Sequence, residues 1–182
     1  MDHPAQPTLV VGVVAGQPDA VTMQAAALAA RLGARLVCAT VDAGRYVVEE
    51  RPDGGIRSAP LDPDLAEPEP SRDEAGGDAD PVDRMDPKLE ARLHALLDPT
   101  GVHWETRALA GDPARALARL AETLDAVMIV VGTRRAGLGG TLREAFGGSV
   151  AVHLAHRQHR PVVVVPLSPV GLDATLPWES DA

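Results

Sequence analysis

Short apolar runs alternate with helix-forming segments along most of this chain, and this alternation constrains its fold more than any other feature. Four runs are dominated by apolar residues: TLVVGVV at 8–14, RLVCATV at 35–41, AVMIVV at 126–131 and PVVVV at 161–165. Nearly continuous apolar strands are typical of sheets that are covered on both faces. A fifth run, VHWETRAL at 102–109, alternates apolar and polar residues, which favours a strand near an edge of the sheet.

Helical patterns lie between these runs. An alanine-rich segment ends at Gly33, which is a typical residue just past a helix. Asp86 with Pro87, and Asp112 with Pro113, are each an N-cap followed by proline at the first helical position. The predicted helical segments are 19–32, 86–98, 111–124 and 150–159, and Ser149 can cap the last of them. Strands that alternate with helices predict one α/β domain over 1–182, a doubly wound five-stranded parallel sheet with helices on both faces.

Residues 50–86 interrupt this pattern with an insert that is rich in proline, glycine and acids. From 62 to 86 the chain has ten acidic residues and two arginines, a net charge of −8, whereas the whole chain carries −9. Such a segment buries too little apolar surface to offset its ordering entropy, so we expect a mobile loop. The tails, 1–7 and 168–182, are expected to be loosely ordered.

Charge and composition exclude several classes of function. The part of the chain outside the insert is close to neutral and has no basic face for nucleic acid. No apolar stretch approaches the roughly 20 residues needed to cross a bilayer, and MDHPAQPT lacks the features of a signal peptide. A cytoplasmic protein is therefore expected. Cys38 is the single cysteine, which excludes an internal disulfide and a cysteine-based zinc site.

A glycine-rich segment, GTRRAGLGGTLREAFGGS, occupies 132–149 after the fourth apolar run. In doubly wound sheets, ligands bind beyond the carboxyl ends of the strands, where the strand order reverses, and this segment emerges at that end. Its last residues, GGS at 147–149, precede a helix, where free N–H groups and the helix dipole favour an anion. Neither a Walker A motif nor G-x-G-x-x-G is present. The residues alone leave a phosphate loop and a flexible connection equally open.

Larger blocks of the sequence resemble the universal stress protein family. VMIVVGTR with GGSVAVHLAHRQHRPVVVVP is similar to the C-terminal half of that family, and GDPARALARLAETLDAVMIVVG to the segment before it. TLVVGVV with AAALAARLGARLVCATV resembles the family's first β-α-β unit. The likeness covers the chain apart from the insert and the tails. It implies the strand order 3-2-1-4-5 and a Rossmann-like domain that binds an adenine nucleotide.

Nucleotide-binding members of that family carry G-x2-G-x9-G-[ST], whose amides and hydroxyl hold phosphates and ribose, and this chain departs from it. With Gly132 as the first glycine, Arg135 takes the place of the second, and Gly148-Ser149 comes three residues late. With Gly137 as the second glycine, the spacing to Gly147 is restored, and Gly148 intervenes before Ser149. The resemblance implies nucleotide-binding residues at Ala15, Gly16, Val41, Gly132, Thr133, Arg134, Arg135, Gly137, Gly147, Gly148, Ser149 and Val150.

A second departure lies after the first strand, where ATP-binding members usually place an Asp that contacts the adenosine part. Here VVGV is followed by Val14-Ala15-Gly16-Gln17, with no carboxylate before Asp19. Gln17 or Asp19 is the available substitute.

Two other arrangements of polar residues are weaker candidates for a functional site. His153 and His156 share one helical turn, without a carboxylate or cysteine to complete a metal site, and a cationic last helical turn explains them better. A hydrolase triad could be composed of Ser149, His153 and Asp112. The sequence around Ser149 does not have the pattern of the strained turn that holds such a serine.

The last apolar run would expose an edge strand unless something covers it. In universal stress proteins that strand commonly pairs with its copy in a second subunit. The resemblance therefore implies a homodimer, with an interface at Val162, Val163, Val164 and Val165.

Two functions follow for the whole chain. The first is a sensor or regulatory protein of the stress response that binds ATP or another adenine nucleotide, with Mg²⁺ only as a companion of ATP. Hydrolysis is expected to be slow or absent, because no general base is evident. The alternative is a nucleotide-free dimeric module that engages protein partners through its acidic insert.

Overall fold

The computed structural model of the protein describes residues 6–62, 84–133 and 150–167. Seven strands, four α-helices and one 3₁₀ helix (Asp98–Thr100) lie in these ranges. The strands are β1 (Thr8–Gly12), β2 (Arg35–Asp42), β3 (Arg45–Glu50), β4 (Ile56–Pro60), β5 (Trp104–Ala110), β6 (Met128–Gly132) and β7 (Val162–Val165). The helices are α1 (Ala20–Leu32), α2 (Pro87–Leu97), α3 (Pro113–Thr123) and α4 (Val150–Arg157).

Five of the strands form one parallel sheet in the order β5-β2-β1-β6-β7. Numbered among themselves, these five strands have the order 3-2-1-4-5, so the predicted fold is confirmed. At the centre, Val10 of β1 is level with Val37 of β2 and with Ile129 of β6. The alternating strand, β5, lies at one edge, as its pattern predicted, and β7 lies at the other.

Helix starts follow the predicted capping. The Asp86 carboxylate accepts hydrogen bonds from the N–H groups of Lys88 and Leu89 at 2.8 and 3.0 Å. Asp112 accepts one from the N–H of Arg115 at 2.9 Å. Each cap satisfies backbone donors that have no partner within the helix, which fixes where α2 and α3 begin.

The sheet separates two apolar layers. Leu9 and Val11 of β1 face α1 and α2, whereas Val10 faces the opposite way, towards α3 and α4. Leucine, valine and alanine make up most of both layers, and the buried residues of the two layers include no phenylalanine or tyrosine among the described residues. This arrangement explains why the central strands are apolar on both sides.

The start of the insert differs from the expected loop. Residues 45–50 and 56–60 pair as an antiparallel hairpin, β3–β4, which the sequence analysis missed. The hairpin is fixed by burial of Ile56, which joins the α3 layer, and of Ser58. Its turn reaches α3, since a Cβ added at Gly54 would lie 2.6 Å from Leu120 Cδ1. Gly54 has φ of +81°, which glycine alone adopts without strain.

The rest of the insert, 63–83, and most of both tails lie outside the described residues. Within the described residues, no helix has the length and apolar character that a membrane span requires.

Candidate functional site

The chain order reverses between β1 and β6, because β2 and β5 lie to one side of β1 whereas β6 and β7 lie to the other. At such a point the connections leave the sheet in opposite directions and open a crevice beyond the carboxyl ends of the strands. We call this the β1–β6 crevice. Its described walls are the turn Val14–Gln17 after β1 and the residues Gly132 and Thr133 at the end of β6.

The turn after β1 is held by its own hydrogen bonds. The N–H of Gln17 donates to the carbonyl of Val14 at 3.1 Å, and Gly16 has φ of +75°, as a tight turn of this kind requires. The side-chain oxygen of Gln17 accepts a hydrogen bond from the N–H of Val14 at 2.9 Å. Ala15 and Gly16 are exposed, and Val14 keeps 56% of its surface exposed. The turn therefore presents backbone and one apolar side chain to solvent.

Gly132 is enclosed on three sides. A Cβ added there would lie 2.9 Å from Val21 Cγ2, 3.2 Å from Gln17 Nε2 and 3.2 Å from Leu167 Cδ1. No ordinary side chain fits without displacing these groups. Glycine at this position therefore lets the backbone of β6 approach the β1–α1 turn closely.

Thr133 connects β6 to the segment after β7. Its N–H donates to the carbonyl of Val165 at 2.8 Å, and its hydroxyl accepts a hydrogen bond from the N–H of Leu167 at 2.8 Å. The hydroxyl thus fixes the chain that borders the crevice.

Val41, which the resemblance assigned to the adenine pocket, is half-buried near the end of β2 and packs against the α3 layer. The N–H of Val13 donates to the carbonyl of Ala39 at 2.8 Å, which extends the parallel pairing of β1 with β2. Val14 follows β1 and Val41 lies near the end of β2, so both valines belong to the carboxyl edge of the sheet.

The two predicted substitutes for the Asp after the first strand have different surroundings. The amide of Gln17 lies beside Gly132 in the crevice. The Asp19 carboxylate is held instead by the guanidinium of Arg92 on α2, at 2.7 Å. Of these two residues, Gln17 is the one whose polar side chain lies in the crevice.

Six of the predicted residues lie outside the described part of the chain. The segment 134–149 lies outside the described residues, and Val150 is the first residue of α4. The predicted residues in that segment are Arg134, Arg135, Gly137, Gly147, Gly148 and Ser149.

The described side chains do not assemble a metal or nucleophile centre. No group of three or more His, Cys, Asp or Glu side chains is placed to hold a metal ion in the parts of the chain that the structure describes. Burial raises the pKa of the Cys38 thiol to about 12. That thiol is therefore protonated and shielded in the core.

Sequence reasoning missed Val21 and Leu167, which enclose Gly132. Neither position carries a distinguishing pattern, because an apolar residue in the first turn of a helix or after a strand is common. Their role follows only from how β6, α1 and the segment after β7 meet.

Taken together, these elements define a doubly wound α/β domain whose strand order reverses between β1 and β6. The universal stress protein family model matches residues 8–166, and the chain belongs to that family.

Solved structures agree with this assignment at the level of the fold. A universal stress protein in complex with cAMP is 22% identical, with 91% of this chain and 100% of that chain covered and a TM-score of 0.53. A universal stress protein from Archaeoglobus fulgidus is 16% identical, with 88% and 93% covered and a TM-score of 0.50. Another, from Archaeoglobus fulgidus DSM 4304, is 17% identical, with 92% and 48% covered and a TM-score of 0.51. No curated protein sequence matches the chain.

Proposed function

We propose that this protein binds an adenine nucleotide in the β1–β6 crevice. The observation that carries the proposal is the close approach of Gly132 to the β1–α1 turn at the point where the strand order reverses. Ligands of doubly wound sheets bind at such a reversal, beyond the carboxyl ends of the strands. The universal stress protein of similar fold that was solved with cAMP gives independent support for this ligand class.

The proposed roles follow from position along the crevice. In this proposal the exposed Val14, after β1, and the half-buried Val41, near the end of β2, offer apolar surface for the base, together with the backbone of Ala15 and Gly16. Gly132 and Thr133 begin the segment that we propose for the phosphates. Its further ligands would be the amides and side chains of Arg134, Arg135, Gly137, Gly147, Gly148, Ser149 and Val150.

We further propose that binding serves regulation in the stress response of the cytoplasm rather than turnover. ATP is one candidate ligand, with Mg²⁺ bound only through its phosphates. Within the described residues the crevice offers an amide, a hydroxyl and backbone groups, and none of these is a good general base at neutral pH.

The direct test is calorimetric titration of the dialysed full chain with AMP, cAMP and ATP. Saturable binding is expected, and Gly148→Val should abolish it, because a side chain there would block the approach of a phosphate to the amides. Gly101→Val is the matched control, since Gly101 lies before β5 at the opposite end of the sheet and has φ of +69°. No heat from any nucleotide at millimolar concentration overturns the proposal, and binding that survives Gly148→Val places the site elsewhere.

A nucleotide-free interaction module is the second candidate function. Two observations favour it: an uncharged Val14 follows the first strand, and the Gln17 oxygen is already occupied by the N–H of Val14. In this case the crevice would stay empty, and the acidic insert would contact protein partners. The same titration separates the two candidates.

We also propose a homodimer through the β7 edge. Val164 exposes 44% of its surface, Val162 and Val163 are half-buried, and Val165 is buried in the monomer. An apolar edge strand of this kind favours pairing with a second copy.

A further inference from the structure

A cleft of about 110 Å³ lies between the β3–β4 hairpin and α3, away from the β1–β6 crevice. We call it the hairpin cleft. Ala110, at the carboxyl end of β5, lines it, and β2 separates β5 from β1. With strands about 4.8 Å apart, the two sites are roughly 10 Å from each other across the sheet. The cleft is formed by the hairpin, so it depends on the element that the sequence pattern did not reveal.

The inner part of the cleft is apolar. Ile56, Leu109 and Leu120 line it together with Ala110 and Ala116. These side chains come from three different elements, and the first three are buried. A hydrocarbon group that enters here would replace water against a surface that is already packed and rigid.

The rim of the cleft is cationic although the chain as a whole is acidic. Arg51, Arg115 and Arg119 lie on it, against the carboxylates of Glu50 and Asp112. The Asp112 carboxylate accepts the capping hydrogen bond of α3 at 2.9 Å, which occupies one of its oxygens. Three arginines and two carboxylates therefore line the cleft in a protein whose net charge is −9.

Two of these arginines are available to an anion for different reasons. Within the described ranges, the guanidinium of Arg115 has no hydrogen-bond acceptor and no carboxylate partner. Arg119 pairs with Glu50 at 3.1 Å, and the two side chains keep 70% and 42% of their surfaces exposed. An exposed pair of this kind is weak and readily exchanged. A carboxylate at the rim can therefore be held by Arg115 and can compete with Glu50 for Arg119.

We propose that the hairpin cleft binds a short aliphatic carboxylate, with its hydrocarbon part on Ile56, Leu109 and Leu120 and its carboxylate on Arg115. Guanidinium and carboxylate match in a planar, two-bond geometry, which favours this anion over a neutral amide. The size of the cleft sets the limit, because a cavity of about 150 Å³ holds a benzene ring. A branched group of about four carbons is therefore the largest that we expect to be enclosed. This inference does not depend on nucleotide binding.

The test is a titration of the ¹⁵N-labelled full chain with isovalerate, followed by NMR, beside isovaleramide and inorganic phosphate. We expect saturable shifts of the amides of Ala110 and Ala116 at millimolar isovalerate. Isovaleramide and phosphate should each bind at least about tenfold more weakly, because one lacks the charge and the other the hydrocarbon. Equal affinity for isovaleramide or for phosphate would overturn the proposal.

Two variants with matched controls locate the site. Arg115→Gln should weaken isovalerate binding about tenfold, and Ala116→Leu should abolish it by filling the cleft. Arg31→Gln and Ala27→Leu make the same changes at exposed positions of α1 and should leave binding unchanged. Binding that is unaffected by Ala116→Leu would refute the proposed location. Displacement of isovalerate by AMP would contradict the proposal that the two sites are separate. If the protein binds isovalerate and does not bind AMP, the nucleotide proposal fails and this inference stands.

Discussion

The side-chain oxygen of Gln17 accepts a hydrogen bond of 2.9 Å from the backbone N–H of Val14. This bond closes the turn after β1 without a charged group, at the place where ATP-binding members of the family usually carry an Asp. The side chain of Val14 is left pointing into solvent, with 56% of its surface exposed. The turn is therefore complete by itself, and a carboxylate at position 14 would be free to contact a ligand.

Val14→Asp is expected to strengthen the binding of adenosine about tenfold or more. A carboxylate there can accept hydrogen bonds from ribose hydroxyls, and a bond to a charged group contributes about 1.5–3 kcal/mol. Stability should change little, since the exposed side chain keeps its carboxylate hydrated. The measurement is calorimetry with adenosine, which has no phosphate to be repelled by the new charge.

The matched control is Val127→Asp, which makes the same substitution at a 42%-exposed position next to the start of β6. It should leave adenosine affinity unchanged. If Val14→Asp also leaves the affinity unchanged, the β1–β6 crevice does not hold the adenosine part.

Gly54→Ala should destabilise the fold more than Gly101→Ala. Both glycines have positive φ, +81° and +69°, so each alanine costs about 1–2 kcal/mol of backbone strain. A Cβ at Gly54 would also lie 2.6 Å from Leu120 Cδ1, whereas nothing lies within 4 Å of one at Gly101. Overpacking of this kind adds about 1–3 kcal/mol. Urea unfolding of the two variants measures the difference, and equal destabilisation would mean that the hairpin turn does not rest on α3.

The same hairpin shows where sequence reasoning failed. Its strands flank Arg51-Pro-Asp-Gly-Gly, and Pro-Asp-Gly between apolar segments is a turn signal with a physical mechanism. The composition of the long acidic insert concealed this local pattern. Ile56 is the one buried large apolar side chain of β4, and its burial depends on Leu109 and Leu120, which lie far along the chain. No local pattern predicts such a contact.

Elsewhere, local patterns were sufficient. Asp86 and Asp112 each precede a proline, and the first turns of α2 and α3 form where this pattern predicts. Four apolar runs and one alternating run located the five parallel strands, because the central strands are covered on both faces and β5 lies at an edge. The pairing of Asp19 with Arg92 could not be anticipated in this way, since it depends on how α1 and α2 pack side by side.

Asp98→Ala should loosen the junction between α2 and β5. One oxygen of Asp98 accepts a hydrogen bond from Trp104 Nε1 at 3.0 Å, and the other lies 3.1 Å from His94 Nδ1. The His94 ring packs edge-on against Trp104, with centroids 4.7 Å apart. We expect a loss of about 1 kcal/mol in the free energy of unfolding and a red shift of Trp104 fluorescence. The measurement uses a Trp178→Phe background so that one tryptophan reports, and Glu122→Ala, at an exposed position of α3, is the control. An unchanged emission maximum would contradict the proposed contact.

Stability should fall in alkaline solution through Cys38. Burial raises the pKa of its thiol to about 12, above the value of about 8.5 for an unfolded chain. Because the pKa of the thiol is higher in the folded state than in the unfolded state, its contribution to the free energy of unfolding is fully present below about pH 8.5. This contribution is lost as the pH rises towards 12. The loss is about 1.4 kcal/mol per pH unit within that window.

Urea unfolding at pH 8, 9 and 10 measures this effect, with Cys38→Ala as the control. The chain has one lysine and one tyrosine, so few other side chains titrate there. The free energy of unfolding of Cys38→Ala should be lower than that of the wild type at pH 8, and it should decline less steeply as the pH rises. Parallel curves for the two proteins would show that Cys38 does not contribute to the alkaline loss.

Val164→Glu is expected to convert the proposed dimer into a monomer. The side chain of Val164 is 44% exposed on the edge strand, so glutamate is tolerated in the monomer and places like charges opposite each other in a symmetric pair. Val163 is less suitable for this test, because it packs against the α1 layer and its substitution would also disturb the core. Light scattering measures the mass, and Val127→Glu is the control at a comparably exposed valine. A dimer that persists in Val164→Glu would place the interface away from β7, and a monomeric wild type would refute the proposed dimer.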